Sequence, residues 1–155
     1  MHVIGAKAEC FYEALQPEFV EYQKQVVKNA QAMANKFIGD NVKIISGGTD
    51  NHMFLIDVKA SYNITGKLAE KTLDSIHITC NKNTIPFDEE SPHITSGIRI
   101  GTPAMTTRGL KEDDFELIEY IINRSLTNIG NEEIQNECNE KVLQLTRKYP
   151  INSNF

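Results

Sequence analysis

In Ser96-Gly97-Ile98-Arg99-Ile100-Gly101-Thr102-Pro103 an arginine stands between two isoleucines, with a glycine one step further out on each side. A guanidinium is costly to bury without an anionic partner. Its planar fork suits a carboxylate or phosphate held through two parallel hydrogen bonds. Glycines on either side let a ligand or another backbone come close. The same pattern also fits an arginine on the solvent face of an alternating strand, or one in a structural ion pair. A second group lies upstream, in Asn81-Lys82-Asn83-Thr84-Ile85-Pro86. Asparagine both donates and accepts, which suits the edge of a heterocycle, and asparagines are equally at home in an ordinary turn.

Other chemistries find less support. Gly47-Gly48-Thr49-Asp50-Asn51-His52 lacks the spacing of a phosphate loop and leads into a strand, so it reads as a hairpin loop. The four histidines, His2, His52, His77 and His93, have no metal-ligand spacing. Cys10, Cys80 and Cys138 form neither a CxxC pair nor a disulfide framework, and read as reduced thiols in a cytosolic protein. No GxSxG elbow occurs. Lys7, in the small apolar run Ile4–Ala8, fits the outer face of a first helix better than an imine-forming site.

The elements that must carry these residues follow from periodicity. Phe11, Leu15, Phe19, Tyr22, Val26, Ala30, Met33 and Phe37 step by three or four, as one face of a helix does. Pro17 splits the stripe into a first helix ending near Gln16 and a longer second one, closed by Gly39 as a left-handed cap. So long a helix exceeds what one small core covers, and part of it is expected to pack against something outside the chain. Val42–Ile45 and Met53–Val58 read as an antiparallel hairpin around residues 46–51. A short helix after Thr65-Gly66 turns Leu68, Ala69, Leu73 and Ile76 inward, and Ile76–Asn81 and Gly97–Gly101 supply two further strands. The irregular stretch Lys82–Ser96 is long for a connection, which points to function. Two helices close the chain. One starts at the acids of Lys111–Asp114 and buries Phe115, Ile118, Ile122 and Leu126. The other runs from about Asn131 to Tyr149 with Ile134, Cys138, Val142 and Leu145 on one side. Pro150 and Asn152-Ser153-Asn154 form a polar end.

With 155 residues, 40% of them apolar and 24% charged, the chain has the composition of one soluble globular domain. A net charge of −5 argues against a broad nucleic-acid surface. No apolar run is long enough to span a bilayer, and Met1–Ala8 is no secretory signal.

Four stretches carry a resemblance: MHVIGAKAECFYEALQPEFVEYQKQVVKNAQAMA, SGGTDNHMFLIDV, TGKLAEKTLDSIHITCNKNTIPFDEESPHITSGIRIGTPAMTTRG and VLQLTRKYP. Together they resemble serine hydroxymethyltransferase over essentially the whole chain. The resemblance implies an α/β (α+β) fold, the small C-terminal domain of a fold-type I pyridoxal-phosphate enzyme, with helices on a small, mainly antiparallel sheet. Residues 1–155 are expected to be that domain, with 1–38 the helices leading from a missing large domain. The resemblance matches Arg99 to the arginine that holds the α-carboxylate of serine or glycine, and so favours the anion clamp there. It matches Asn83 to the asparagine that hydrogen-bonds the pteridine of tetrahydrofolate, with Lys82 and Thr84 lining that pocket.

The family's anchor lysine for pyridoxal 5'-phosphate lies in a Thr-rich stretch that this sequence lacks. Also missing are the aspartate that pairs with the pyridine nitrogen, the stacking histidine and the Gly-Gly pair at the cofactor phosphate. The chain is therefore expected to be an isolated C-terminal piece, inactive alone. The complete cytoplasmic enzyme would be a homodimer that interconverts serine plus tetrahydrofolate with glycine plus methylenetetrahydrofolate. A non-catalytic module that binds a small carboxylate or joins a full-length subunit is the competing reading.

Overall fold

A computed structural model describes residues 1–151. The chain opens with α1 (His2–Ala14), none of whose side chains is buried, followed by the longer α2 (Pro17–Gly39). Pro17 opens α2, where its missing N–H costs no hydrogen bond. Helix α2 buries Val26, Ala30, Met33 and Phe37, the C-terminal half of the predicted stripe, together with Asn29 and Ala34. Phe11, Leu15 and Phe19, its N-terminal half, remain exposed. Gly39 is not the left-handed cap that was expected. It is the last helical residue, and the chain reverses at Asn41 (φ 62°), whose short amide side chain tolerates that conformation.

The sheet has three antiparallel strands, β1 (Met53–Asp57), β2 (Asn81–Asn83) and β3 (Gly97–Gly101), in the order β1-β3-β2. The hairpin expected between Val42–Ile45 and Met53–Val58 does not form. Val42 and Ile44 are buried, but Ile44 makes a single bridge to Ile56, and a 3-10 turn over Ile45–Gly47 with Ser46 left-handed (φ 67°) ends the pairing. The ladder partner of β1 is β3, more than 40 residues on, with Leu55 opposite Arg99. The strand expected at Ile76–Asn81 shrinks to Asn81–Asn83. Ile76 caps the preceding helix, His77 is left-handed (φ 63°), and Ile78 donates its N–H to the Leu73 carbonyl (2.9 Å).

Helix α3 (Val58–Tyr62) starts where the strand was expected to continue, because the Asp57 carboxylate accepts the Ala60 N–H (2.9 Å) and caps it. Helix α4 (Gly66–Ser75) is capped by Thr65 and buries Ala69 and Leu73, while Leu68, expected inward, is 40% exposed. Helix α5 (Pro103–Thr107) follows β3, and α6 (Glu112–Thr127) and α7 (Glu132–Lys148) complete seven α-helices among the described residues. Helix α6 buries Phe115, Ile122 and Leu126 as expected, together with Ile121, while Ile118 is half-buried. Residues 152–155, with the predicted polar end, lie outside the described residues.

The result is a mixed α/β architecture. Helices α2 and α4 cover the face of the sheet that carries Phe54, Ile56, Ile98 and Ile100; α6 lies across both helices, and α7 packs on α6. Phe37 meets Phe54 edge-on, with ring centroids 6.0 Å apart, at the centre of this core.

Candidate carboxylate and folate site

Alternation along β3 decides which side chains meet. Ile98 and Ile100 point into the core and are buried, so Arg99 stands on the opposite face, exposed. Leu55 of β1 and Asn81 of β2 lie directly across from it. Asn83 is opposite Gly97 and shares that face, one diagonal step from Arg99. Among the described residues the Arg99 guanidinium has no hydrogen-bond or ion-pair partner, which removes the structural ion pair from the readings of this position. Asn83 is half-buried and donates Nδ2 to the carbonyl oxygen of Thr84 (2.7 Å); Thr84 itself is exposed.

Lys82 is not brought to this face. It lies opposite Ile98, on the α4 side, where its Nζ pairs with Glu70 Oε2 (3.2 Å). Its backbone N–H also donates to Glu70 Oε1 (3.0 Å). That N–H, then the contest between burial and the Lys82 ammonium, leaves the Glu70 carboxyl below its usual range. Asn81, opposite Arg99 on the same face, belongs to the polar group read from the sequence but was not among the residues matched to the folate pocket. The period-two alternation that links Asn81 to Asn83 was the available signal.

The long connection after β2 is held by a carboxylate. Asp88 accepts from Ser96 Oγ (2.6 Å), Ser96 N–H (2.9 Å), Glu90 N–H (3.0 Å) and Ile85 N–H (3.2 Å). Burial pushes this carboxyl up, but the four donors outweigh it and hold the group at about 2. Thr95 is buried with φ 60°, an uncommon backbone for a β-branched residue. Its carbonyl accepts the Gly66 N–H (2.8 Å) and that of Ile94 accepts the Lys67 N–H (2.9 Å), so the loop ends on the first turn of α4. A Cβ on Gly66 would lie 2.1 Å from Thr95 Oγ1 and 2.4 Å from the Gly97 carbonyl oxygen, which explains the glycine. None of these three residues was legible as a site residue; Asp88 sat in an acidic run that resembles a solvated surface.

Beyond Gly101 the chain is tied to α2. Thr102, fully buried, donates Oγ1 to the Val26 carbonyl (2.9 Å), and Asn29 Nδ2 donates to Thr106 Oγ1 (2.8 Å) and the Leu110 carbonyl (3.1 Å). Tyr22 OH donates to the Pro103 carbonyl (3.2 Å). The strand that carries Arg99 is thus fixed at both ends, by the Asp88 loop and by α2.

The family model of serine hydroxymethyltransferase matches residues 1–122, more than three-quarters of the chain. The chain belongs to the serine hydroxymethyltransferase family. The match takes in Asn81–Asn83, the Asp88 loop and Arg99, and ends within α6. The family is one of pyridoxal-phosphate enzymes that use tetrahydrofolate in the full enzyme. The donors of this chain do not by themselves fit that cofactor. Every lysine is at least partly exposed, and the best covered, Lys36, Lys82 and Lys141, are engaged by Asp40, Glu70 and Glu137. An imine-forming lysine needs a dry pocket or a neighbouring cation to lose its proton, and none of these has one. Lys7 lies exposed on α1, as its sequence context suggested. No helix among the described residues is long and apolar enough to cross a membrane.

Proposed function

We propose that this chain is the C-terminal small domain of a serine hydroxymethyltransferase. On this reading residues 1–38 lead from a large domain that brings the pyridoxal lysine. The small domain supplies the grip on the amino-acid substrate. Arg99 holds the α-carboxylate of serine or glycine through both arms of its fork, which fixes the orientation of the bonds at Cα. Asn83, two residues along the same face, offers its side-chain carbonyl and amide to the pteridine edge of tetrahydrofolate, with Thr84 beside it. Lys82 contributes by holding the strand to Glu70. The chain alone does not interconvert serine and glycine.

The observation that supports this reading most is the unpaired guanidinium of Arg99 on a strand fixed at both ends, with Asn83 on the same face. A titration of the guanidinium by nitrogen NMR tests it. Glycine at millimolar concentration is expected to shift the Arg99 Nε–H signal, and Arg99→Lys, which keeps the charge but loses the fork, is expected to weaken binding at least tenfold. Equal binding by the Arg99→Ala variant would overturn the assignment. Added pyridoxal phosphate is expected to leave no borohydride-fixed label on a lysine; a fixed label would refute the missing anchor.

The bare apolar side chains Val3, Ile4 and Phe11 on α1, with Leu15 just after it, favour a second role, association with a large domain or a full-length subunit.

A further inference from the structure

Glu119 has no place in the function just proposed, and its setting is unusual. It lies on the inner side of α6 and is completely buried, yet neither carboxylate oxygen has a hydrogen-bond partner. Buried carboxylates are ordinarily paired or hydrogen-bonded, because loss of hydration is otherwise uncompensated. The nearest cation is the Lys36 ammonium of α2, 3.8 Å from Glu119 Oε2, which is an ion-pair distance and too long for a hydrogen bond. Lys36 is instead bonded to Asp40 Oδ2 at 2.8 Å, at the cap that follows α2.

The other end of this group is also connected. Asn123 Nδ2 donates to Asp40 Oδ2 (3.4 Å), and Tyr62 OH of α3 donates to Asn123 Oδ1 (3.0 Å). The titratable groups that bear on Glu119 are therefore Lys36 from α2, Asp40 at the cap that follows it, Tyr62 from α3 and Glu116 from its own helix. No charged group of α4 or α7 bears on it. Lys36 and Asp40 are both about one-third exposed, so the rim of the cluster touches water while Glu119 does not.

We propose that Glu119, Lys36 and Asp40 form a proton-operated latch across the seam between α6 and α2. With its proton on, the buried Glu119 is neutral and Lys36 rests on Asp40. When the proton leaves to water by way of the exposed rim, the new carboxylate draws the ammonium inward by about 1 Å, from ion-pair to hydrogen-bond distance. Asp40 then loses its strong partner, and with it the support of the last turn of α2 and the turn at Asn41. Burial first, then the Asp40 charge, pushes the Glu119 carboxyl up to about 7, against the opposing pull of Lys36. The latch therefore works near neutral pH. Because the folded value lies above the unfolded value of 4.5, the contribution to stability is complete below pH 4.5 and is lost as pH rises through 7.

The test follows the glutamate side-chain carboxyl carbons by NMR from pH 4 to 9 and measures amide protection factors over residues 38–42. One carboxyl is expected to titrate near 7, with protection at 38–42 falling through the same midpoint. Lys36→Met is expected to raise that midpoint and Asp40→Asn to lower it, while Glu119→Gln abolishes both transitions. The unfolding equilibrium constant of the wild-type chain should rise on the order of 100-fold between pH 5 and 8 more than that of Glu119→Gln. If all glutamates titrate below about 5.5, or if protection at 38–42 ignores pH, the latch does not exist. The wild-type titration decides this even where a variant fails to fold.

Discussion

Asp88 and Ser96 stand eight residues apart and are joined twice, by a hydroxyl-to-carboxylate bond of 2.6 Å and a backbone bond of 2.9 Å. This double tie converts a connection without regular structure into a closed loop that ends at Ser96, the residue before β3. The strand that bears Arg99 is therefore delivered to the sheet by a carboxylate.

Replacing Asp88 with Asn is expected to release that loop. The variant keeps the shape but sets an amide hydrogen against Ser96 N–H, and the loss of charged hydrogen bonds costs roughly 2 kcal/mol. Urea unfolding measures the cost, and hydrogen exchange over residues 85–96 locates it. The acid limb carries the sign: the Asp88 carboxyl sits at about 2 when folded, below its ordinary 3.8. Its contribution is present above pH 3.8 and fades as pH falls through 2, so wild-type loop protection should drop in that interval and that of Asp88→Asn should not.

Gly97→Ala is expected to be far more harmful than Gly101→Ala. A Cβ at position 97 would meet Ile85 Cγ2 at 2.6 Å and the backbone oxygens of Asn83 and Ile56 at 3.0 Å, whereas one at 101 finds its nearest neighbour at 3.5 Å. Overpacking of this kind costs about 1–3 kcal/mol. Ile85→Ala in the same chain should restore only part of the loss, because the two backbone contacts remain. Thermal unfolding of the four proteins checks the order.

Arg108 closes the far end of the molecule. Its Nε donates to the Tyr149 carbonyl (2.8 Å), and its Nη2 donates to the Thr146 carbonyl (3.2 Å) and again to that of Tyr149. Tyr149 OH in turn donates to Asp114 (2.7 Å), which Lys148 also reaches (3.1 Å). Arg108→Ala would leave the last carbonyls of α7 unsatisfied at roughly 1–3 kcal/mol, and Tyr149→Phe about 1 kcal/mol by loss of one bond. Protection of α7 amides should fall in both variants while that of β3 holds.

Deletion of residues 2–14 is expected to shift the melting temperature by no more than about 2 °C, since none of the side chains of α1 is buried. Calorimetry of the shortened chain measures this. A large drop would show that α1 carries packing energy after all.

Much of this arrangement could be read from residue order, and the failures have physical causes. The apolar–Arg–apolar pattern between two glycines located β3, but the face that Arg99 shares with Asn83 was not legible, because the strand was expected to end at Asn81 and β2 instead runs over Asn81–Asn83. The helical stripe from Phe11 to Phe37 divided as expected at Pro17, with its first half uncovered. The hairpin at Val42–Ile45 failed because apolar residues fit a buried coil as well as a strand, and left-handed Ser46 redirected the chain. Gly39 misled since a helix needs one reversal, and Asn41 provides it. Asp88, Thr95 and Glu119 were invisible for a common reason: their roles depend on partners that only the tertiary fold brings near. In a sequence window each is an ordinary polar residue.

The carboxylate of Glu70, seen above as the partner of Lys82, has one more consequence. It occupies the N–H that β2 would offer to an incoming strand, while the segment at Lys43-Ile44 lies along the opposite margin of β1. A three-stranded sheet is short enough that two such blocks guard most of its margins against templating by a neighbouring molecule. Resistance to fibril growth is thus built into this small sheet by one acidic side chain and one stray segment of coil.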